Sequence, residues 1–131
     1  MEIRATLSKS ERLKSKKEID KLFKSGQSLF VFPFKLFYRF NEGEAPLKIR
    51  MGVTVPKSMH KKAVDRNRLK RKIREAYRTS KVRLLRNNHH LHKSVDLFFV
   101  YICKDEKENL IQHKMALLLC KLENELKNQN S

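Results

Sequence analysis

Between residues 47 and 78 the apolar side chains change from every second position to every third or fourth, and this switch restricts what the chain can fold into. Leu47, Ile49, Met51, Val53 and Val55 alternate without a miss against Lys48, Arg50, Gly52 and Thr54. A strand so patterned buries one face and solvates the other, which reads as a half-buried antiparallel strand. From about residue 62 the period is helical. Leu69, Ile73, Ala76 and Tyr77 share one stripe, and the helix can persist to about 85 before Asn87-Asn88-His89-His90 breaks it. A one-faced strand feeding a one-faced helix calls for a layered α+β domain.

The flanking segments fill out that architecture. Ser15-Lys16-Lys17-Glu18 fits a capping box, with Ser15 accepting from first-turn amides and Glu18 reaching back, and Gly26 is a natural stop. A short helix is therefore predicted over about 16–25, with Ile19, Leu22 and Phe23 at helical spacing. Residues 29–40 are aromatic-rich and alternating, one strand or two, with Pro33 near a start or at an edge. Asn41-Glu42-Gly43-Glu44-Ala45-Pro46 is a turn. Residues 95–102 form a nearly continuous apolar strand. Ile111, Met115, Leu118, Leu119, Leu122 and Leu126 mark a final helix over about 107–126 that packs on the sheet. The predicted order is α-β-β-β-α-β-α in a single domain, 1–131, with flexible ends at about 1–10 and 127–131. Only three Gly and three Pro leave no linker to divide it.

Charge narrows the function. Lys and Arg number 31 against 14 Asp and Glu, a formal charge of +17 on 131 residues. Small soluble domains more often hold a net charge of roughly 2–8 in magnitude. A larger surplus repels itself in a compact state, so the expected partner is a polyanion, nucleic acid first and an anionic membrane surface second. No apolar run approaches the ~20 residues of a membrane helix, and Met1-Glu2-Ile3-Arg4 lacks an apolar signal core, so a cytoplasmic location is expected. Cys103 and Cys120 form neither CxxC nor zinc spacing and read as reduced, buried thiols.

The surplus is concentrated in residues 57–78, which hold ten basic and two acidic side chains. At 100° per residue, Asn67, Lys70, Arg71, Arg74 and Arg78 share one strip opposite the core stripe. Like charges at i,i+4 cost a few tenths of a kcal/mol per pair, so the strip makes sense when phosphates fill it. On the aromatic strand, Lys35, Phe37 and Arg39 take the face opposite Phe34, Leu36 and Tyr38. A ring between two cations is a stacking platform for an unpaired base; the competing assignment seats Phe37 in the core beneath the first helix. His89, His90 and His92 have no carboxylate or cysteine beside them. Asp20, Asp65, Asp96 and Asp105 show no acid–base pairing, so neither a catalytic set nor a protein metal site is expected.

Arg66-Asn67-Arg68, then Leu69-Lys70-Arg71 and Ile73-Arg74-Glu75-Ala76-Tyr77-Arg78, resembles the RNR signature of the bacterial ribonuclease P protein family. Met51-Gly52-Val53-Thr54-Val55-Pro56-Lys57, Ala63-Val64 and residues 13–26 with their Leu22-Phe23 ending extend the likeness. With the strand at 95–102 and the final helix, it covers nearly the whole chain. The resemblance implies a ribosomal protein S5 domain 2-like two-layer sandwich whose RNR helix sits in a left-handed β-α-β crossover, against the general right-handed rule. It also implies an auxiliary subunit of an endoribonuclease, a hydrolase whose RNA subunit cuts the 5′ leader from precursor tRNA. Arg66, Asn67, Arg68, Lys70, Arg71, Arg74 and Arg78 would then meet RNA from the RNR helix. Phe23, Lys35, Phe37, Arg39 and Lys57, with Ile19 in place of an aromatic, would line a cleft for the single-stranded leader. Mg²⁺ would be held mainly by RNA. The implied partners are the ribonuclease P RNA subunit and precursor tRNA, with no membrane and no obligate protein partner. A non-enzymatic basic RNA-binding protein, such as a ribosomal protein or RNA chaperone, would share the charge and fold class without needing the cleft. A membrane-surface protein would want cations beside the apolar face of a helix, whereas the final helix mixes Lys114, Lys121, Glu123, Glu125 and Lys127.

Overall fold

The computed structural model describes residues 11–105 and 108–129. Its elements are α1 (Lys16–Ser25), β1 (Gln27–Val31), β2 (Phe34–Glu42), β3 (Lys48–Thr54), α2 (Ala63–Asn88), β4 (Lys93–Tyr101) and α3 (Glu108–Asn128). Of the ends expected to be flexible, 1–10 and 130–131 lie outside the described residues, and α3 continues through Asn128.

Local chemistry explains the first turns of the chain. The Ser15 hydroxyl accepts from the Glu18 amide at 3.4 Å, one half of the expected capping box, while the Glu18 carboxylate turns away to Arg50. Gly26 ends α1 by donating its amide to the Leu22 carbonyl. A Cβ there would lie 2.5 Å from that carbonyl oxygen and 3.0 Å from the Tyr38 carbonyl oxygen, so the close approach of helix end to β2 requires glycine. The aromatic run folds back on itself at Phe32-Pro33, giving the β1–β2 hairpin with Ser28 opposite Phe37 and Phe30 opposite Lys35.

The sheet order is β1-β2-β4-β3. β1–β2 and β2–β4 are antiparallel, but β3 runs parallel to β4, with α2 as the crossover between them. The expectation of an antiparallel strand at 47–55 is therefore corrected. Alternation reports that one face of a strand is buried and is silent about its neighbour's direction. β3 keeps it because helices α2 and α3 cover only one side of the sheet.

On that side lies the main core. Phe34, Leu36 and Tyr38 of β2, and Leu97, Phe99 and Tyr101 of β4, meet Leu69, Ile73 and Tyr77 of α2 and Met115, Leu118 and Leu122 of α3. Each large apolar side chain so buried stabilises by roughly 1.5–3 kcal/mol. Beyond the sheet, the end of α2 is fastened to α3 through the buried Glu123 carboxylate. It accepts from Asn88 Nδ2 at 2.9 Å and Asn87 Nδ2 at 3.3 Å, and Lys127 Nζ lies at 3.5 Å. Cys103 is buried as expected, but Cys120 is exposed, because it falls outside the apolar stripe of α3.

Candidate nucleic-acid interface

The first half of α2 sorts its basic side chains by what already engages them. Arg66 Nη1 donates to the carbonyls of His60 (2.9 Å) and Lys61 (2.8 Å), which fastens the preceding loop to the helix. His60 Nε2 lies 2.7 Å from the Cys103 carbonyl oxygen, pinning the same loop to the end of β4. Arg68 pairs with Asp65 at 3.0 Å, and Arg78 Nε donates to Glu75 at 3.0 Å. That hydrogen bond holds the Glu75 carboxyl below its usual range. Among the described residues, no carboxylate pairs with Lys70, Arg71 or Arg74. Asn67 and Arg71 are exposed, and Lys70 and Arg74 half-exposed. Burial, and then the Arg12 guanidinium, lower the pKa of Arg74. Arg12 thus adds a cation to the strip that the helical spacing alone does not reveal. It arrives because the segment before α1 lies along the outer edge of β3, where Arg12 bridges Met51 and the Leu13 amide donates to the Met51 carbonyl at 2.8 Å. Further along, the buried Lys81 ammonium pairs with Glu11 and lies 5.8 Å from the Tyr77 ring centroid. The Tyr77 hydroxyl has no hydrogen-bond partner among the described residues, and burial raises its pKa.

The second surface is the face of the sheet opposite the main core. Strand register sets three rows across it: Arg39, Asp96 and Arg50; Phe37, Phe98 and Gly52; Lys35, Val100 and Thr54. α1 leans over the middle row. Phe23 meets Phe37 edge-to-face at 4.7 Å between centroids and Phe98 at 5.4 Å, yet remains 43% exposed. Phe37 is half-buried, with Lys35 Nζ 5.1 Å from its centroid, so the ring is not sealed beneath the helix. Ile19 and Phe37 pack together against the small cluster of Leu13, Leu22 and Phe98. Gly52 lets Phe98 lie flat across β3, since a Cβ would meet the Phe98 ring at 2.7 Å and the Leu13 carbonyl oxygen at 2.8 Å.

The two ends of this groove differ. At one, Arg50 bridges Glu18 on α1 and Asp96 on β4, each at 2.9 Å, and Asn41 donates to Asp96 at 3.3 Å. The hydrogen bond that Arg50 donates to Asp96 is the main reason the Arg50 pKa is raised. Half-buried Arg39 sits beside this ladder. At the other end stands Lys35, and the chain leaves β3 at Thr54 and passes to the exposed Lys57, whose loop leads to Arg66. The structure therefore brings Ile19, Phe23, Lys35, Phe37 and Arg39 to one groove, and Lys57 to the same end as Lys35. It adds Phe98 and Arg50. Phe98 was hidden because an all-apolar strand does not reveal which side chain faces which way.

No three His, Cys, Asp or Glu side chains among the described residues could hold an ion together. The groove carboxylates Glu18 and Asp96 are both engaged by Arg50. Among the described residues the groove presents exposed rings and cations, groups able to stack on bases and to pair with phosphates.

Comparison with known proteins accords with this layout. The ribonuclease P family profile matches residues 7–123. A ribonuclease P protein component from Porphyromonas gingivalis is 43% identical over 75 residues, covering 57% of this chain and 55% of that one. The chain thus spans little more than half the length of that relative. The structure of the RNase P protein from Staphylococcus aureus matches with a TM-score of 0.64 at 25% identity, over 87% of this chain and 96% of that one. The RNase P protein from Thermotoga maritima matches with a TM-score of 0.64 at 28% identity, over 83% and 94%. On its RNR segment, its sheet order and these likenesses, the chain belongs to the bacterial ribonuclease P protein family.

Proposed function

We propose that this protein is the RNA-binding subunit of ribonuclease P, gripping the RNA subunit with the basic strip of α2 and the single-stranded 5′ leader of precursor tRNA with the groove. One observation carries the reading: the Lys35 end of an aromatic groove leads through Lys57 and its loop directly into the helix that bears Lys70, Arg71 and Arg74. Two nucleic-acid surfaces so joined can hold two RNAs side by side. Guanidinium forks bind phosphate oxygens in pairs, and exposed ring faces stack on unpaired bases whatever their identity. The catalytic centre then lies in the RNA subunit, which also holds the Mg²⁺, and endonucleolytic removal of the leader leaves the mature tRNA 5′ end. Among the described residues no helix is long and apolar enough to cross a membrane, and the proposed place of work is the cytoplasm.

The protein's contribution is electrostatic. Cations between two polyanions replace counterions that would otherwise be needed in bulk, so the subunit should lower the Mg²⁺ required for cleavage. The test adds the purified chain to a ribonuclease P RNA and precursor tRNA at low Mg²⁺. Cleavage at the 5′ end is expected with both components, and none with protein alone. Robust cutting by RNA-free protein, or no effect on the RNA at low Mg²⁺, overturns the proposal. Binding that does not distinguish precursor from mature tRNA would favour a general RNA-binding protein instead.

A further inference from the structure

Phe30 is 60% exposed, although it belongs to a strand with apolar neighbours on both sides. Leu29 and Val31 turn toward the main core. Phe30 pairs across with Lys35 and Ser28 pairs with Phe37, so the Phe30 ring stands on the groove face of the sheet. Phe30 and Phe37 are diagonal cross-strand neighbours, a relation that places Cβ atoms about 7 Å apart. Lys35 lies between them, its ammonium 5.1 Å from the Phe37 centroid. The short Ser28 leaves the space beside Phe37 on β1 low and open. All of this lies away from the ladder of Glu18, Arg50 and Asp96, toward the Lys35 end.

We infer that Phe30 is a second nucleobase platform, which carries the groove past Phe37 onto β1 and holds a further nucleotide of the leader. The inference rests on the leader-groove reading above. Two rings with one cation between them match two stacked bases and the phosphate that links them. Stacking needs only a π face, so the added platform extends the length of leader bound without reading its sequence. A second copy of this chain could also cover an exposed ring, but a charge of +17 on each copy opposes that association.

The test uses the full chain with a ribonuclease P RNA and precursor tRNAs of graded leader length. Wild-type affinity should rise with leader length in two steps, as first Phe37 and then Phe30 is reached. Phe30→Ala and Phe30→Leu should remove the later step, weakening long-leader binding about fivefold or more, the lower end of what stacking one base provides. Phe30→Tyr should restore it, and short-leader and mature tRNA binding should not change. Thermal unfolding of each variant checks that the fold is intact. An equal loss at every leader length, no loss at any, or a Phe30-dependent dimer in sedimentation of the free protein overturns the inference. Phe37→Ala is the control for the underlying reading: it should weaken shorter leaders too, by about 5- to 150-fold. If short-leader affinity is unchanged in Phe37→Ala, the groove reading itself falls.

Discussion

Replacing Arg71 and Arg74 together by alanine separates a phosphate-binding strip from a merely solvated helix face. Neither guanidinium pairs with a carboxylate among the described residues, so their charges are available to RNA. Each duplex phosphate deprived of its protein cation takes about 0.9 off the slope of log K against log salt. Two such phosphates therefore take off about 1.8, or about 1.4 if the strip meets a single strand. Between about 50 and 200 mM salt, a fourfold range, a slope difference of about 1.8 makes the wild-type affinity fall about 12-fold further than the variant's. Stability should hardly move. Arg71 is exposed, and the like charge of Arg12 beside Arg74 means that its removal relieves repulsion. The assay is a salt titration of binding to the ribonuclease P RNA, with thermal unfolding in parallel. An unchanged slope in a folded double variant would refute the reasoning and leave the strip as a solvated face.

Two further substitutions probe what positions these surfaces. Gly52→Ala puts a methyl 2.8 Å from the Leu13 carbonyl oxygen, a backbone atom that cannot swing aside, and 2.7 Å from the Phe98 ring. Overpacking of this kind costs about 1–3 kcal/mol, so the melting temperature should fall by about 4 °C per kcal/mol, with weaker leader binding as Phe98 shifts; an unaltered melt would contradict the close approach. Asn88→Ala removes the amide that donates to Leu84 and to the buried Glu123 carboxylate. Calorimetry should show a loss of about 1–3 kcal/mol with the salt slope of RNA binding unchanged, whereas a wild-type melt would mean that this bond does not fasten α2 to α3.

How far the sequence alone could go depended on whether a signal was local. The bounds of α1 followed from Ser15 and Gly26, because capping and close approach act within a turn. The stripe of Leu69, Ile73 and Tyr77 fixed which side of α2 is core, and so which side carries the cations. The direction of β3 was not legible, since parallel pairing with β4 is decided by the crossover and leaves no mark on the strand's own alternation. Arg12 and Arg50 escaped notice for a related reason: each joins its site across a long stretch of chain, to Arg74 and to Glu18 and Asp96. Phe30 could have been placed once the turn at Phe32-Pro33 was recognised, because a hairpin's register then assigns it to the face of Lys35. Cys120 shows the limit of composition: a thiol's usual burial yields to its angle on the helix.

The strand order β1-β2-β4-β3 has a consequence for how the chain is made. β4, one of the two inner strands, is the last in sequence, and it pairs its Tyr101 with Phe34 and its Val100 with Thr54. During synthesis only the β1–β2 hairpin can close early. β3 must wait for the whole of α2 to emerge before its neighbour exists, and the core faces of β2 and β3 stay uncovered until then. Distant pairing of this sort slows folding and prolongs the exposure of unpaired strand edges, the state in which chains aggregate. The charge of +17 is present on the chain throughout that interval, so the repulsion that suits the finished protein to RNA also keeps its half-made copies apart.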